Sequence, residues 1–264
     1  MAVSPITGTF PSSISNAYGA RSSRGGRFLA ACGAGTNNSD VVIEVQPDLS
    51  TVVRPVLRGT NGSLSVALND VAVSKDGKFL CEISYTGSGP QRILKWNSTT
   101  GQYEKLVDLT DMTSSYQTSC DFSEDGSMLA VAGWSEIRIY SISGDTFTLI
   151  RTISSDAAHV NGSSVEDISF SHNGQFIAMA HRNGVHVYRV SDGTRLYNSL
   201  DNANLPGWSV SWSLDDSHVF GGTIAVGSGF NVWSRSGESF SWINAGPIWN
   251  IQVASPPIAV KVDG

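Results

Sequence analysis

One sequence frame occurs four times in this chain, and it limits the possible folds more than any other feature. Each copy places a Ser three residues before the end of an Asp-Gly, Asn-Gly or Asp-Asp turn. The copies are VAVSKDGKFLCEI from Val71, CDFSEDGSMLAVA from Cys120, ISFSHNGQFIAMA from Ile168 and VSWSLDDSHVFGG from Val210. A degenerate fifth copy, SSRGGRFLAAC, begins at Ser22. The turn positions of the five copies are 51, 49, 48 and 42 residues apart; they are Gly26, Gly77, Gly126, Gly174 and Asp216. Periods of about 40–50 residues are typical of four-stranded propeller blades, so the repeat predicts an all-β propeller.

The pattern inside each repeat agrees with this prediction. Asp or Asn precedes Gly77, Gly126 and Gly174, and such pairs supply the positive φ values that a tight hairpin needs. A short apolar run follows each turn, and a third strand then ends on an aromatic residue that we expect to pack within the blade. These aromatic residues are Trp96, Tyr140, Tyr188 and Trp233. No segment has a sustained helical period, so we expect almost no helix.

Composition and charge exclude several classes of partner. With 264 residues, 40% of them hydrophobic, the chain is suited to a single domain with a sizeable core. The net charge is −6 and the basic residues are not clustered, which excludes nucleic acid because phosphate binding needs grouped Lys and Arg. No apolar run reaches 18 residues, so we predict no membrane insertion.

Motifs for catalysis are missing from the sequence. It has no nucleophile elbow and no phosphate-binding glycine loop, and no His or Asp recurs at one strand-start position in every blade. Cys32, Cys81 and Cys120 have no metal-like spacing and are predicted to be buried free thiols. Asp70 and Asp167 recur just before the repeated Ser, where we expect them to bond backbone groups of the adjacent loop. We therefore predict no catalytic residues, no metal site, no cofactor and no enzymatic activity.

Five full repeats occupy residues 14–243 of a single predicted domain, 1–264. We expect residues 1–13 to form an N-terminal arm that supplies a closing strand, and residues 244–264 to form a partial blade. Together the termini would complete a sixth, composite blade, because ring closure removes exposed sheet edges. A five-bladed ring with an extended tail is the alternative.

The candidate binding residues lie in the long connections between strands. The turns at one end of the blades are short and uniform, whereas the loops at the other end are long and differ from one another. Binding residues are often carried by variable loops on a rigid scaffold. The loop residues with enough apolar or aromatic area to anchor a partner are Tyr85, Met112, Tyr116, Trp134, His159 and Trp208.

The repeats resemble a known family. The segment SEDGSMLAVAGWSEIRIYSISGDTFTLIRTI, from Ser123 to Ile153, resembles the WD40-like repeat common in phage and bacterial proteins, and GFNVWSRSGESFSWI, from Gly229 to Ile243, resembles it more weakly. The third-strand aromatic residues match the first residue of the family's Trp-Asp pair, whereas the Asp and the Gly-His dipeptide of eukaryotic repeats are absent.

This resemblance implies a non-enzymatic virion protein of a tail, fibre or capsid. Its partners would be other virion proteins, copies of itself or the host surface. The alternatives are an intracellular, cytoplasmic WD40-type scaffold, a propeller that binds a host glycan, and a propeller hydrolase or lyase.

Overall fold

The described part of the chain consists of β-strands grouped into five blades. A computed structural model of the protein describes residues 16–34, 40–57, 67–84, 91–111, 116–154, 165–181, 184–198, 208–222 and 230–243. These residues form twenty strands and no helix. Four consecutive strands make each antiparallel sheet, and we number the five sheets as blades 1 to 5 in chain order. The predicted all-β architecture of four-stranded antiparallel blades is confirmed.

The strands of the five blades have the following bounds. Blade 1 contains β1 (Asn16–Ser22), β2 (Phe28–Ala34), β3 (Asp40–Val45) and β4 (Thr51–Arg54). Blade 2 contains β5 (Leu68–Val73), β6 (Phe79–Ser84), β7 (Gln91–Asn97) and β8 (Gln102–Leu109). Blade 3 contains β9 (Gln117–Phe122), β10 (Met128–Gly133), β11 (Glu136–Ser143) and β12 (Thr146–Ser154). Blade 4 contains β13 (Val165–Phe170), β14 (Phe176–His181), β15 (Gly184–Arg189) and β16 (Arg195–Asn198). Blade 5 contains β17 (Ser209–Trp212), β18 (His218–Gly222), β19 (Phe230–Ser236) and β20 (Ser239–Ile243).

Consecutive blades meet along their first strands. β1 contacts β5, β5 contacts β9, β9 contacts β13, and β13 contacts β17. Among the described residues, four hydrophobic clusters are therefore each shared by two neighbouring blades, and a smaller one lies within blade 1. The cluster between blades 3 and 4, for example, contains Ile139, Ile168 and Tyr188. Second strands are apolar because they lie between blades, and residues Leu129 to Ala132 of β10 are fully buried.

The repeated Ser and Asp close the first hairpin of a blade. In blade 3, the Ser123 hydroxyl donates to Asp125 Oδ1 at 2.7 Å and accepts a bond from the Met128 amide at 2.9 Å. Blades 2, 4 and 5 repeat this arrangement. The turn residues Gly77, Gly126 and Gly174 have φ values of 70°, 70° and 68°, and Asp216 has 56° at the same position. The fixed spacing of the sequence frame thus reflects one hydrogen-bonded turn.

The third-strand aromatic residues pack in the clusters between neighbouring blades and not within a single blade. Tyr140, Tyr188 and Trp233 are each at most 3% exposed. Trp96 is half-buried, and its ring lies 4.4 Å from the Arg54 guanidinium, a cation–π contact.

The predicted arm at residues 1–13 and the partial blade at residues 244–264 lie outside the described residues. The first described strand begins at Asn16 and the last ends at Ile243. The composite sixth blade, the five-bladed alternative and the domain limits stay predictions.

Candidate functional site

The two ends of the blades differ in how many of their polar side chains form ion pairs or hydrogen bonds with a neighbouring blade. We call the end that carries the hairpins between first and second strands the hairpin rim, and the opposite end the loop rim. At the hairpin rim, Lys95 Nζ of blade 2 lies 2.5 Å from Asp145 Oδ2 of blade 3. The Asp216 carboxylate of blade 5 accepts the amides of His172 and Asn173 of blade 4 at 2.6 and 2.9 Å. The polar groups of this rim therefore hold adjacent blades together.

Two of the predicted anchors stack on each other at the loop rim. The ring centroids of Tyr116 and Trp134 are 4.5 Å apart and the ring planes differ by 19°. Tyr116 directly precedes β9, and Trp134 lies between β10 and β11. The antiparallel pairing of β9 and β10 brings them together, and the Trp134 amide donates to the Tyr116 carbonyl at 3.1 Å. Tyr116 is 43% exposed and Trp134 47% exposed, so this aromatic pair is presented to solvent.

A hydrogen bond and an ion pair connect β11, the strand after Trp134, to Asp111, which lies five residues before Tyr116. The buried Tyr140 hydroxyl on β11 donates to Asp111 Oδ1 at 2.6 Å, and Arg138 Nη1 lies 3.4 Å from Asp111 Oδ2. Arg138 also donates to Glu136 at 3.2 Å. Burial and the Asp111 acceptor raise the pKa of the Tyr140 phenol well above its usual range, so it stays a donor at neutral pH. β11, the strand that follows Trp134, is thereby joined to Asp111, which follows β8 of blade 2.

The other four predicted anchors do not join this pair among the described residues. Trp208 lies at the loop rim just before β17, but it is half-buried and its amide donates to the Gly222 carbonyl at 2.8 Å. Tyr85, Met112 and His159 lie outside the described residues. The binding role of all six anchors stays a prediction.

A charged network that sequence reasoning did not find lies along the first strands. Arg21 on β1 donates from Nε to Asp70 Oδ2 on β5 at 2.9 Å and from Nη2 to Ser119 Oγ on β9 at 2.6 Å. It also donates to the Ile168 carbonyl on β13 at 3.2 Å and forms an ion pair with Asp167. We call Arg21, Asp70, Ser119 and Asp167 the axial network. One side chain of blade 1 thus contacts blades 2, 3 and 4.

The carboxylates of the axial network also bond the backbone of the next blade. Asp70 Oδ2 accepts the Cys120 amide at 3.0 Å, and Asp167 Oδ2 accepts the Val210 amide at 2.9 Å. The expectation that these two residues bond an adjacent loop is therefore wrong. Their partners are the first strands of the following blades, because first strands of neighbouring blades lie side by side.

Arg24 makes a second contact of this kind nearer the hairpin rim. Its Nη2 lies 2.6 Å from Asp121 Oδ2 on β9 and donates to the Phe170 carbonyl on β13 at 2.7 Å. Asp121 Oδ2 in turn accepts the Phe170 amide at 2.8 Å. Two layers of Arg–Asp contacts therefore connect the first strands of blades 1, 3 and 4.

The electrostatics of the axial network favour an internal structural role. Burial alone would lower the pKa of Arg21, but the Asp167 and Asp70 carboxylates outweigh burial and raise it well above its usual range. Burial raises the pKa of Asp70, and Arg21 offsets only part of that effect. The Ser119 hydroxyl donates to Asp167 Oδ1 at 3.0 Å and accepts from Arg21. Both oxygens of Asp167 and Oδ2 of Asp70 are thus engaged by protein donors.

The sequence contained one signal for this network in its degenerate first repeat. Gly19 lies four residues before the repeated Ser, at the position that Asp70 and Asp167 have in their own repeats. A Cβ on Gly19 would be 2.8 Å from Asp70 Oδ1, so only glycine leaves room for that carboxylate. Arg21 itself has no such signal, because no other repeat has a cation at its position.

Within the described ranges, no group of three or more His, Cys, Asp or Glu side chains is placed to hold a metal ion. The same residues include no helix that is long and apolar enough to span a membrane. Cys32, Cys81 and Cys120 are buried free thiols, as expected. Burial raises the pKa of Cys32 and of Cys120 well above the ordinary thiol value, so neither is suited to act as a thiolate nucleophile.

Comparison with known proteins supports the fold. No family model and no curated protein matches the chain. Among solved structures, the chain is similar to the β-propeller domain of Cps50 (Swd1) from Myceliophteria thermophila, with a TM-score of 0.61 and 10% identity. That alignment covers 84% of this chain and 66% of the domain, slightly less than two thirds of it.

Two Bacteroides proteins are also similar in structure. A candidate 6-phosphogluconolactonase from Bacteroides fragilis has a TM-score of 0.62, 14% identity and coverage of 83% of this chain and 67% of its own. A second, from Bacteroides uniformis, has a TM-score of 0.62, 13% identity and coverage of 87% and 71%. At these identities the similarity establishes the fold alone. The chain is a β-propeller.

Proposed function

We propose that this propeller is a non-enzymatic binding protein that docks on other virion proteins through its loop rim. The aromatic pair of Tyr116 and Trp134 is the observation that carries the proposal. Two large rings exposed side by side can bury considerable apolar area against a partner at little cost in side-chain entropy. The Trp134 amide bonds the Tyr116 carbonyl and β9 pairs with β10, so the backbone holds the two rings side by side.

The use of the two rims supports the same proposal. The hairpin rim is occupied by ion pairs and carboxylate–amide bonds between blades. The loop rim carries the exposed rings. The virion location rests on the resemblance of the segment from Ser123 to Ile153 to phage and bacterial repeats.

The test uses particles from the source of the protein, purified on a density gradient. We expect mass spectrometry to find the chain in the particle band at a fixed copy ratio. Particles that lack the chain should take up the added full-length protein. The Tyr116→Ala/Trp134→Ala double variant should be taken up about tenfold or more weakly, because hot-spot residues carry most of the binding free energy.

Leu214→Ala is the matched control. Leu214 is 59% exposed but lies at the hairpin rim, so its removal should leave uptake unchanged. If the chain is absent from the particles and stays soluble, the virion location is wrong and the cytoplasmic scaffold takes its place. If the double variant is taken up like the unmodified protein, the loop rim has been assigned incorrectly.

Hydrolysis is the second candidate function, because two structural neighbours are candidate lactonases and charged side chains meet in the axial network. Against it, Asp70 and Asp167 are engaged by Arg21 and by backbone amides. We expect no release of acid from 6-phosphogluconolactone above the spontaneous rate in a pH-stat assay. Turnover that Asp167→Asn abolishes would establish an enzyme instead.

A further inference from the structure

An open cleft lies between blades 3 and 4, at the outer part of the hairpin rim and away from the aromatic pair. Its volume is about 530 Å³. Met128, Ile150 and Phe176 supply apolar lining, Arg151 and Arg189 supply cationic lining, and Glu238 of blade 5 adds one carboxylate. Ile150 is the extra residue of a β-bulge in β12, since Arg151 pairs with Ile139 and Leu149 pairs with Tyr140. The bulge allows two consecutive side chains of β12 to line the cleft.

The cleft exists because an aromatic contact found at other blade interfaces is missing here. Phe147 of blade 3 packs edge-on against Phe79 of blade 2, with ring centroids 5.2 Å apart. Phe240 of blade 5 packs in the same way against Phe176 of blade 4, at 6.3 Å.

The outer strand of blade 4 cannot provide this contact to blade 3. β16 has four residues and begins at Arg195, which pairs with Tyr188 and is exposed. The two residues before it are Gly193 and Thr194, so no aromatic side chain reaches the neighbouring blade. Blade 3 has Met128 where blades 2 and 4 have Phe, and Met128 is left half-buried in the cleft.

Arg151 gives the cleft an uncompensated positive charge. Its Nη2 donates to the Ser191 carbonyl, and its buried Nε has no acceptor. No carboxylate of the described residues forms an ion pair with it. Arg189 differs, because the carboxylates of Asp192 and Glu238 neutralise it.

We propose that the cleft binds a short peptide segment of a partner protein in which a carboxylate lies next to a large aliphatic side chain. The carboxylate would accept bonds from the solvent-accessible nitrogens of the Arg151 guanidinium, since Arg–carboxylate pairs match in geometry. The aliphatic side chain would pack on Met128 and Ile150, whose burial supplies the apolar part of the affinity. This site is separate from the aromatic pair, and it stands whether or not the loop rim binds a partner.

The test measures fluorescence anisotropy of dye-labelled hexapeptide pools, amidated at the C-terminus, with the full-length protein. One pool contains only Leu, Asp and Gly, the second only Leu, Asn and Gly, and the third only Ser, Asp and Gly. The Leu/Asp pool should bind about tenfold or more tightly than either other pool, because each of them lacks one of the two required groups. Rising salt should weaken binding of the Leu/Asp pool more than that of the Leu/Asn pool.

Two variants and one control assign the binding to the cleft. Arg151→Gln should abolish the preference for the Leu/Asp pool over the Leu/Asn pool. Met128→Phe should weaken binding of both pools, because the larger side chain would occupy part of the cleft. Lys95→Gln removes a cation from the hairpin rim, outside the cleft, and should change neither. Thermal melting of each variant reports folding.

Several results would overturn the proposal. Equal binding of all three pools would show that the cleft has no such specificity. An unchanged preference in folded Arg151→Gln protein would place the anion elsewhere. Competition by free acetylated leucine at the same concentration as the Leu/Asp pool would identify a small carboxylic acid, not a peptide, as the ligand. Since none of these measurements involves Tyr116 or Trp134, failure here is distinct from failure of the loop-rim proposal.

Discussion

Gly77 and Gly126 occupy the same turn position in neighbouring blades and have the same φ of 70°. Their surroundings differ. A Cβ on Gly77 would lie 2.4 Å from Phe28 Cζ of blade 1, whereas a Cβ on Gly126 would meet nothing within 4 Å. The first glycine is therefore required by its backbone conformation and by inter-blade packing, and the second by its conformation alone.

Alanine substitution separates these two requirements. Gly126→Ala should lower the free energy of unfolding by about 1 kcal/mol, the cost of a positive φ in a residue with a Cβ. Gly77→Ala carries the same cost, and displacement of the Phe28 ring should add about 1–3 kcal/mol. Urea unfolding followed by tryptophan fluorescence measures both values. Equal losses in the two variants would mean that Phe28 moves aside freely.

At the scale of strands, the first strands of blades 1 to 4 are connected through Arg21. Its side chain is 19% exposed, and it bonds three other blades. Removing the guanidinium would leave the Asp70 and Asp167 carboxylates buried without a counter-charge. Removing one partner of a buried ion pair lowers the free energy of unfolding strongly, because the other charge stays buried and unpaired. Replacing the whole pair by apolar residues has a much smaller effect.

We therefore expect Arg21→Met to lower the free energy of unfolding by about 3–5 kcal/mol. Arg189→Met is the matched control, because Arg189 also pairs with two carboxylates, Asp192 and Glu238, but in solvent. Its effect should be much smaller, since water screens exposed ion pairs. Chemical denaturation of both variants under one set of conditions gives the comparison, and similar losses would contradict the role assigned to the axial network.

At the scale of the whole molecule, ion pairs make stability depend on pH. Burial of the Glu44 carboxyl acts to raise its pKa, but hydrogen bonds from Arg54 and Arg27 outweigh burial and lower it. The pKa values of Asp108 and Glu124 are also lowered. A carboxyl whose pKa is lower in the folded state stabilises that state above its unfolded pKa, about 4.3 for Glu. This stabilisation is lost as the pH falls through the folded-state pKa.

The melting temperature should accordingly fall between pH 6 and pH 3. Glu44→Gln should melt at a lower temperature than the unmodified protein at pH 6, and the difference should shrink as the pH approaches 3. Asp48→Asn is the comparison variant. Hydrogen bonds from Ser50 also lower the pKa of Asp48, but Asp48 is exposed and forms no ion pair with the described residues, so its difference from the unmodified protein should be smaller than that of Glu44→Gln at every pH. Calorimetric scans at several pH values check this, and a constant difference across the range would be evidence against the assignment to Glu44.

The turns and strands could be predicted from sequence because they depend on local chemistry. The Ser123–Asp125 turn needs only residues close in the chain, and the buried aromatic residues Tyr140 and Trp233 recur at a fixed place in the repeat. The axial network could not be predicted, because Arg21 meets Asp167 only when blades 1 and 4 face the same axis. No repeated spacing in the sequence indicates the contact between Arg21 and Asp167.

The candidate site was predictable to the same extent. Tyr116 and Trp134 were identifiable as large loop residues, but their stacking depends on the register of β9 against β10. The cleft at Arg151 was not predicted. It results from the short outer strand of blade 4, β16, which has only four residues.

The carboxylate–amide bonds between first strands have a direction. Asp70 accepts the amide of Cys120, Asp121 that of Phe170 and Asp167 that of Val210, so the donor always belongs to a later blade. During synthesis on the ribosome, blades 2, 3 and 4 would therefore each offer an unfilled acceptor that the first strand of the next blade satisfies. The nascent chain would be guided into its ring one blade at a time, in the order in which it leaves the exit tunnel.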